Sequence, residues 1–113
     1  MTTVNENRLT KIANEHGYDV AEYCPIGDKV IISCDFGAEG FAIFRTSAGW
    51  IAGHSNAYQG TRFISREDGG IIHVLDVEKF AAENKSNPAY AFFPTPEAAL
   101  IDIIDYGIET SLL

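Results

Sequence analysis

The sequence predicts an α+β fold: a mostly antiparallel sheet of four to six strands, with N-terminal and C-terminal helices packed on one face. Three observations predict it. Apolar residues recur at helical spacing near both ends of the chain, and the middle alternates at strand period. The strand-like runs are joined mostly by short glycine turns, which suit hairpins.

Thr3 and Glu6 have the spacing of a capping box, and Leu9, Ile12, Ala13 and His16 follow at helical spacing. Gly17 supplies a left-handed stop, so a helix is expected over about residues 4–16. "DVAEYC" reads as a short strand closed by the "PIGD" turn. In "KVIISCDF", Val30, Ile32, Cys34 and Phe36 fall on one face, and Ile31, Ser33 and Asp35 on the other. That two-residue period marks a half-buried strand. "GAEG" turns the chain and "GFAIFRT" returns as the next strand.

"GWIAG" reads as a further strand and "HSNAYQG", small, polar and bounded by glycine, as a loop. "TRFISREDGGIIHVL" reads as two strands joined at Asp68-Gly69 by a type I′ turn. That turn sets Phe63 opposite Val74 and Ser65 opposite Ile72, while Arg62, Ile64, Arg66, Ile71, His73 and Leu75 share the other face. Asp76 is placed to cap a short helix, "VEKFAAEN", with Val77, Phe80 and Ala81 as its apolar edge. "KSNPAYAFF" reads as a loop running into an extended stretch. A last helix begins with Thr95 as cap, Pro96 at the first helical position and Glu97 in the first turn. Leu100, Ile104 and Ile108 recur along one face of it, widened by Ala99, Ile101 and Ile103.

At 113 residues the chain is expected to be a single domain, residues 1–113, and 46% hydrophobic residues suffice for a core. No apolar run approaches the roughly 20 residues a membrane span requires. The polar start "MTTVNENRLTK" leads us to expect a cytoplasmic protein, in the host cytoplasm if it is phage-encoded. Cys24 and Cys34 form neither a CxxC pair nor a disulfide framework and read as small, partly buried thiols, with a bridge between neighbouring strands left open. "NKS" at residues 84–86 matches a glycosylation triplet but has no export signal to go with it.

The formal net charge is -8, which argues against nucleic-acid binding and favours a partner with a basic surface. Charge is segregated. No acid occurs from Gly40 to Arg66, where Arg45, Arg62 and Arg66 lie, and no Lys or Arg occurs from Ala89 onward, where Glu97, Asp102, Asp105 and Glu109 lie.

Catalytic patterns are weak. "DFG" at residues 35–37 copies a kinase triplet without the rest of a kinase, and "GAEG" has neither the length nor the lysine of a phosphate loop. Nothing in the spacing brings His16, His54 or His73 beside either thiol, and a thiol on an apolar face would have a raised pKa. No HxH, HxxxH or CxxC pair points to a metal; Asp102 and Asp105, one helical turn apart, have no further ligands beside them. No catalytic residue, metal or cofactor is therefore expected.

Two surfaces remain as candidates for partner binding. The stretch "WIAGHSNAYQGTR" gathers Trp50, His54, Asn56, Tyr58, Gln59 and Arg62, a mixture of aromatic, polar and cationic groups suited to recognition. Its structural alternative is a core tryptophan followed by a polar connector. Asp102, Asp105 and Glu109, at i, i+3 and i+7, make an acidic stripe. Over those residues the helix rises about 10 Å, roughly one charge per 3.5 Å against about one per 1.7 Å in duplex DNA. One helix is thus too dilute to imitate nucleic acid, and a solvated face is its plainer reading.

The functional expectation is a small acidic non-enzymatic protein-binding module. It would be an inhibitor or antagonist, such as a phage anti-defence protein of the anti-CRISPR type or a toxin-immunity protein. The alternatives are a small-molecule-binding domain or minor enzyme with an anionic ligand near Trp50, His54, Tyr58 and Arg62, and a structural subunit of a homo-oligomer, for which a homodimer would suffice.

Overall fold

The computed structural model describes residues 6–18, 20–34, 39–56 and 60–110. In chain order these form α1 (Glu6–Glu15), β1 (Val20–Ile26), β2 (Lys29–Cys34), β3 (Glu39–Thr46), β4 (Gly49–Asn56), β5 (Gly60–Ile64), β6 (Ile71–His73), α2 (Val77–Asn84) and α3 (Pro96–Thr110). The strands make one sheet in the order β1-β2-β3-β4-β5-β6, each antiparallel to the next. Consecutive strands being neighbours is what short turns impose.

Helix ends follow local chemistry. The last turn of α1 closes with Gly17 N–H on Asn14 O and Tyr18 N–H on Ala13 O, the paired bonds of a Schellman motif, and Gly17 takes the required positive φ of 90°. Thr3 of the expected capping box lies outside the described residues. Asp76 caps α2 by accepting from Lys79 N–H at 3.0 Å. Thr95 Oγ1 likewise accepts from Ala98 N–H at 3.2 Å at the start of α3.

The sheet is covered on both faces. On one face Val30, Ile32, Phe41, Ile43, Trp50 and Ile64 pack against Leu9 of α1 and Ala99, Leu100, Ile103 and Ile104 of α3. The N-terminal and C-terminal helices therefore share a face. On the other, Ile51 and Phe63 meet Phe80 of α2, with Phe44, Val77, Tyr90 and Phe92 at the margin. Phe63 stacks on Phe80 with ring centroids 5.2 Å apart. Ile101, expected to widen the apolar face of α3, is instead 39% exposed.

Two readings of the middle of the chain are corrected. His54, Ser55 and Asn56 are not loop but the last residues of β4, because β3 provides a partner along the whole length from Thr46↔Gly49 to Glu39↔Asn56. The β5–β6 register also differs: Phe63 lies opposite Ile72 and not Val74, with Arg62 opposite His73 and Ile64 opposite Ile71. Ser65 N–H bonds Gly70 O, Gly69 N–H bonds Ser65 O, and Asp68 Oδ1 accepts from Gly70 N–H, so the chain takes a wider turn than type I′. The shift is two residues, which keeps every side chain on its expected face.

The outer side of β4 is shared. β5 pairs only with its end, His54↔Arg62 to Asn56↔Gly60, while Trp50 exchanges two backbone hydrogen bonds with Phe93. Between them Gly53 lets β5 come close: a Cβ there would lie 2.5 Å from Arg62 O and 2.8 Å from Phe63 Cδ1. Cys24 is a half-buried free thiol opposite Ile31. Cys34 lies three residues along β2, about 10 Å away, beyond disulfide reach.

Candidate functional site

Antiparallel pairing places Phe41 of β3, His54 of β4, Arg62 of β5 and His73 of β6 in one row across the sheet. At the buried end of the row the Phe41 ring lies 5.8 Å from the His54 ring, and Tyr18 meets Phe41 edge-on at 5.3 Å. At the other end His73 is exposed. Beside the row is an open cleft of about 40 Å³ lined by His54, Arg62, Ile64 and Ile71.

His54 is 5% exposed, and its pKa is lowered to about 4, first by burial and then by the Arg62 charge. It is therefore neutral at physiological pH. Its Nε2 is buried and has no hydrogen bond among the described residues. Arg62 Nε is buried too, and Arg62 is engaged by a further interaction.

Trp50 does not join this cleft. It lies four residues before His54 on the same face, about 13 Å away, and packs in the core 6% exposed. Of the other residues expected to form a recognition loop, Tyr58 and Gln59 lie outside the described residues. Asn56 ends β4, and its side chain is outside them as well.

The acidic stripe on α3 is partly committed within the fold. Asp102 accepts from Arg66 Nη2 in an ion pair whose side chains are 25% and 28% exposed respectively. Asp105 Oδ1 is 3.8 Å from His16 Nε2 on α1. Glu109 is in the last turn of α3, with its side chain outside the described ones. The arginines of the acid-free stretch are offset as well, Arg45 by Asp28 at 2.9 Å and Arg66 by Asp102. A second recess, near Arg66, Tyr90 and Asp102, holds about 10 Å³, room for about one water.

No group of three or more metal-ligating side chains occurs among the described residues. None of their helices is long and apolar enough to cross a membrane.

One surface was not singled out by the sequence. β6 is the last strand of the sheet and all three of its residues are exposed. Ile71 is 44% exposed, Ile72 37%, and Leu75, just beyond the strand, fully so. The signal was present in "IIHVL": two adjacent isoleucines in a strand point to opposite faces, and a sheet's last strand has no neighbour to cover both.

Pairing also decides which backbone groups are open. Val74 N–H bonds Thr61 O and Ser65 N–H bonds Gly70 O, so residues 70, 72 and 74 turn their polar groups toward β5. Ile71 and His73 turn theirs outward, along an edge that no further strand of the described residues pairs with. Asp68 lies before this edge and Asp76 after it, each held by a backbone N–H, of Gly70 and Lys79 respectively. The Gly70 N–H, with help from Ser65, also lowers the Asp68 pKa, so its carboxylate is charged.

Comparisons with protein-family models, with curated proteins and with solved structures find no match for the chain.

Proposed function

We propose that this chain is a non-enzymatic protein-binding module that antagonises a basic partner in the cytoplasm, and that it engages the partner through the β6 edge. The supporting observation is the combination at that edge: outward backbone groups at Ile71 and His73, exposed Ile71, Ile72 and Leu75, and a fixed carboxylate at each end. Such an edge accepts an added strand, with main-chain bonds giving affinity and side chains giving specificity.

The acids select the occupant. If a second copy paired antiparallel so that Ile71 and His73 met His73 and Ile71 of its partner, Asp68 would face Asp76. Like charges placed opposite one another are destabilising. A segment of another protein with apolar residues at its centre and Lys or Arg at either end meets no such repulsion. The overall charge of -8 would speed its approach.

The probe is a set of extended peptides with Val or Ile centres and lysine flanks, alongside matched glutamate-flanked peptides, added to the full chain. Lysine-flanked members should protect the Ile71 and His73 amides from hydrogen exchange, with affinity falling as salt rises. Equal binding of glutamate-flanked peptides, or protection elsewhere on the sheet, would refute this assignment. Light scattering that showed a stable dimer closed through β6 would instead favour a homo-oligomeric subunit.

A further inference from the structure

We infer that the cleft between β4, β5 and β6 is a carboxylate-binding subsite, in which His54 and Arg62 hold the two oxygens and Ile64 and Ile71 line the path of the aliphatic stem. This goes beyond the strand-addition reading and does not depend on it.

The starting observation is an unsatisfied group. Burying a ring nitrogen without a hydrogen bond costs on the order of 1–3 kcal/mol, so a buried imidazole that lines an open cleft calls for a partner. His54 is such a residue: 5% exposed, with Nε2 buried and unbonded among the described residues. Nε2 is shut off from solvent at rest, so a ligand reaches it as the cleft side chains part, and the neutral ring, carrying its proton on Nε2, then donates to it.

Arg62 decides the sign of the ligand. Its positive charge already disfavours a proton on His54, and it would disfavour a cation in the cleft in the same way. A guanidinium offers five N–H donors, so the interaction that Arg62 already makes is compatible with contact to a ligand here. Donors from an imidazole and a guanidinium on adjacent strands suit an acceptor with two oxygens.

Volume sets the size. About 40 Å³ corresponds to about three water positions, enough for a planar carboxylate but far below the roughly 300 Å³ at which drug-sized pockets begin. The other two lining residues are isoleucines, and Ile71 belongs to the sheet's edge strand, so the stem of the acid leaves along an apolar wall toward solvent. The carboxylate could come from a free short-chain acid or from the C-terminus of a polypeptide.

The test uses the full chain, ¹⁵N-labelled, and reads the His54 ring nitrogens by NMR. Sodium propionate is added in one arm. In the other, a short peptide ending in valine is added with a free C-terminus or as its amide. Chloride at matched ionic strength is the control in both.

A saturable shift of His54 Nε2 with propionate assigns the site to free acids. A shift only with the free-carboxylate peptide assigns it to a polypeptide end. Arg62→Gln should weaken either by roughly tenfold or more. No saturable shift with any of these, or the same shift with chloride or with the amide, overturns the inference. The titration of the unmodified chain decides the matter even if Arg62→Gln does not fold. Because the readout is the His54 ring and not β6 amide protection, failure here leaves the strand-addition reading standing, and the reverse also holds.

Discussion

The middle of the sheet and its β6 end are built to different standards. β3 and β4 pair along their whole length, from Glu39/Asn56 to Thr46/Gly49, and Phe41, Ala42, Ile43 and Ile51 are buried there. β5 and β6 pair only from Arg62/His73 to Ile64/Ile71, and Ile71, Ile72 and Leu75 face water. The contrast shows where folding energy is stored and where surface is left for other work. Apolar burial contributes about 25 cal/mol per Å², so the centre holds the domain together while the β6 residues contribute little to it.

The opposite edge sharpens the point. β1 carries a bulge between Val20 and Glu22 and places Pro25, which lacks an N–H, within the strand. Both devices blunt strand addition. β6 has neither; among the described residues it is guarded by its three-residue length and by the two carboxylates that flank it.

The largest expected effect separates the two regions directly. Phe41 is 1% exposed and sits between Tyr18 and His54, so Phe41→Ala should cost about 3–5 kcal/mol of stability. Leu75→Ala, at a fully exposed position, should stay within about 0.5 kcal/mol. Urea unfolding of both variants measures the gap; comparable losses would mean that the β6 end is integral to the core.

Next in size is a pH effect at the border between the regions. His54 has a folded pKa of about 4 against the ordinary histidine value of 6.5, so between those values the unfolded chain binds a proton that the folded chain does not. Stability is therefore undiminished above about pH 6.5 and falls as pH drops toward 4, by at most about 3 kcal/mol. Carboxylates titrate near the lower end, so the comparison is with His54→Gln, whose stability curve should be flatter across that interval. Identical curves would place His54 in contact with water.

A smaller effect concerns the tie that holds the β5–β6 turn to α3. Arg66 and Asp102 are 36 residues apart in sequence and pair at a partly buried position. A double-mutant cycle with Arg66→Gln and Asp102→Asn should give a coupling of about 1 kcal/mol, decreasing in salt. A coupling near zero would release Asp102 for a partner and restore the acidic stripe as a recognition surface.

These particulars also show what was legible in the sequence. Strand period and helix caps are local, so the alternation of Val30 and Ile32, the Asp76 and Thr95 caps and the Gly17 stop could be read directly. His54 could not be placed: "HSNAYQG" has loop composition, and it becomes strand through its non-local partner β3. The β5–β6 register was missed because Asp68-Gly69 suits a two-residue turn, while the actual turn is closed by Ser65 and Gly70. Faces survived that error because it was even-numbered. The Arg66–Asp102 pair and the exposure of Leu75 depend on where distant elements end, which no local pattern records.

The smallest expected change in stability carries the most functional weight. Ile72→Lys and Leu75→Lys alter exposed positions, so each should leave the unfolding midpoint nearly unchanged, within about 0.5 kcal/mol. On the strand-addition reading the same substitutions remove apolar contact and set a lysine where the incoming segment is basic, so binding of lysine-flanked peptides should fall at least tenfold, by about 1.4 kcal/mol or more. Asp68→Lys tests the electrostatic half alone, because it reverses a flanking charge without touching the apolar centre. It should weaken lysine-flanked peptides and strengthen glutamate-flanked ones. If all three variants bind as the unmodified chain does, the exposed edge is not the recognition surface, and its bareness reflects only how short a strand the wide Ser65–Gly70 turn leaves behind.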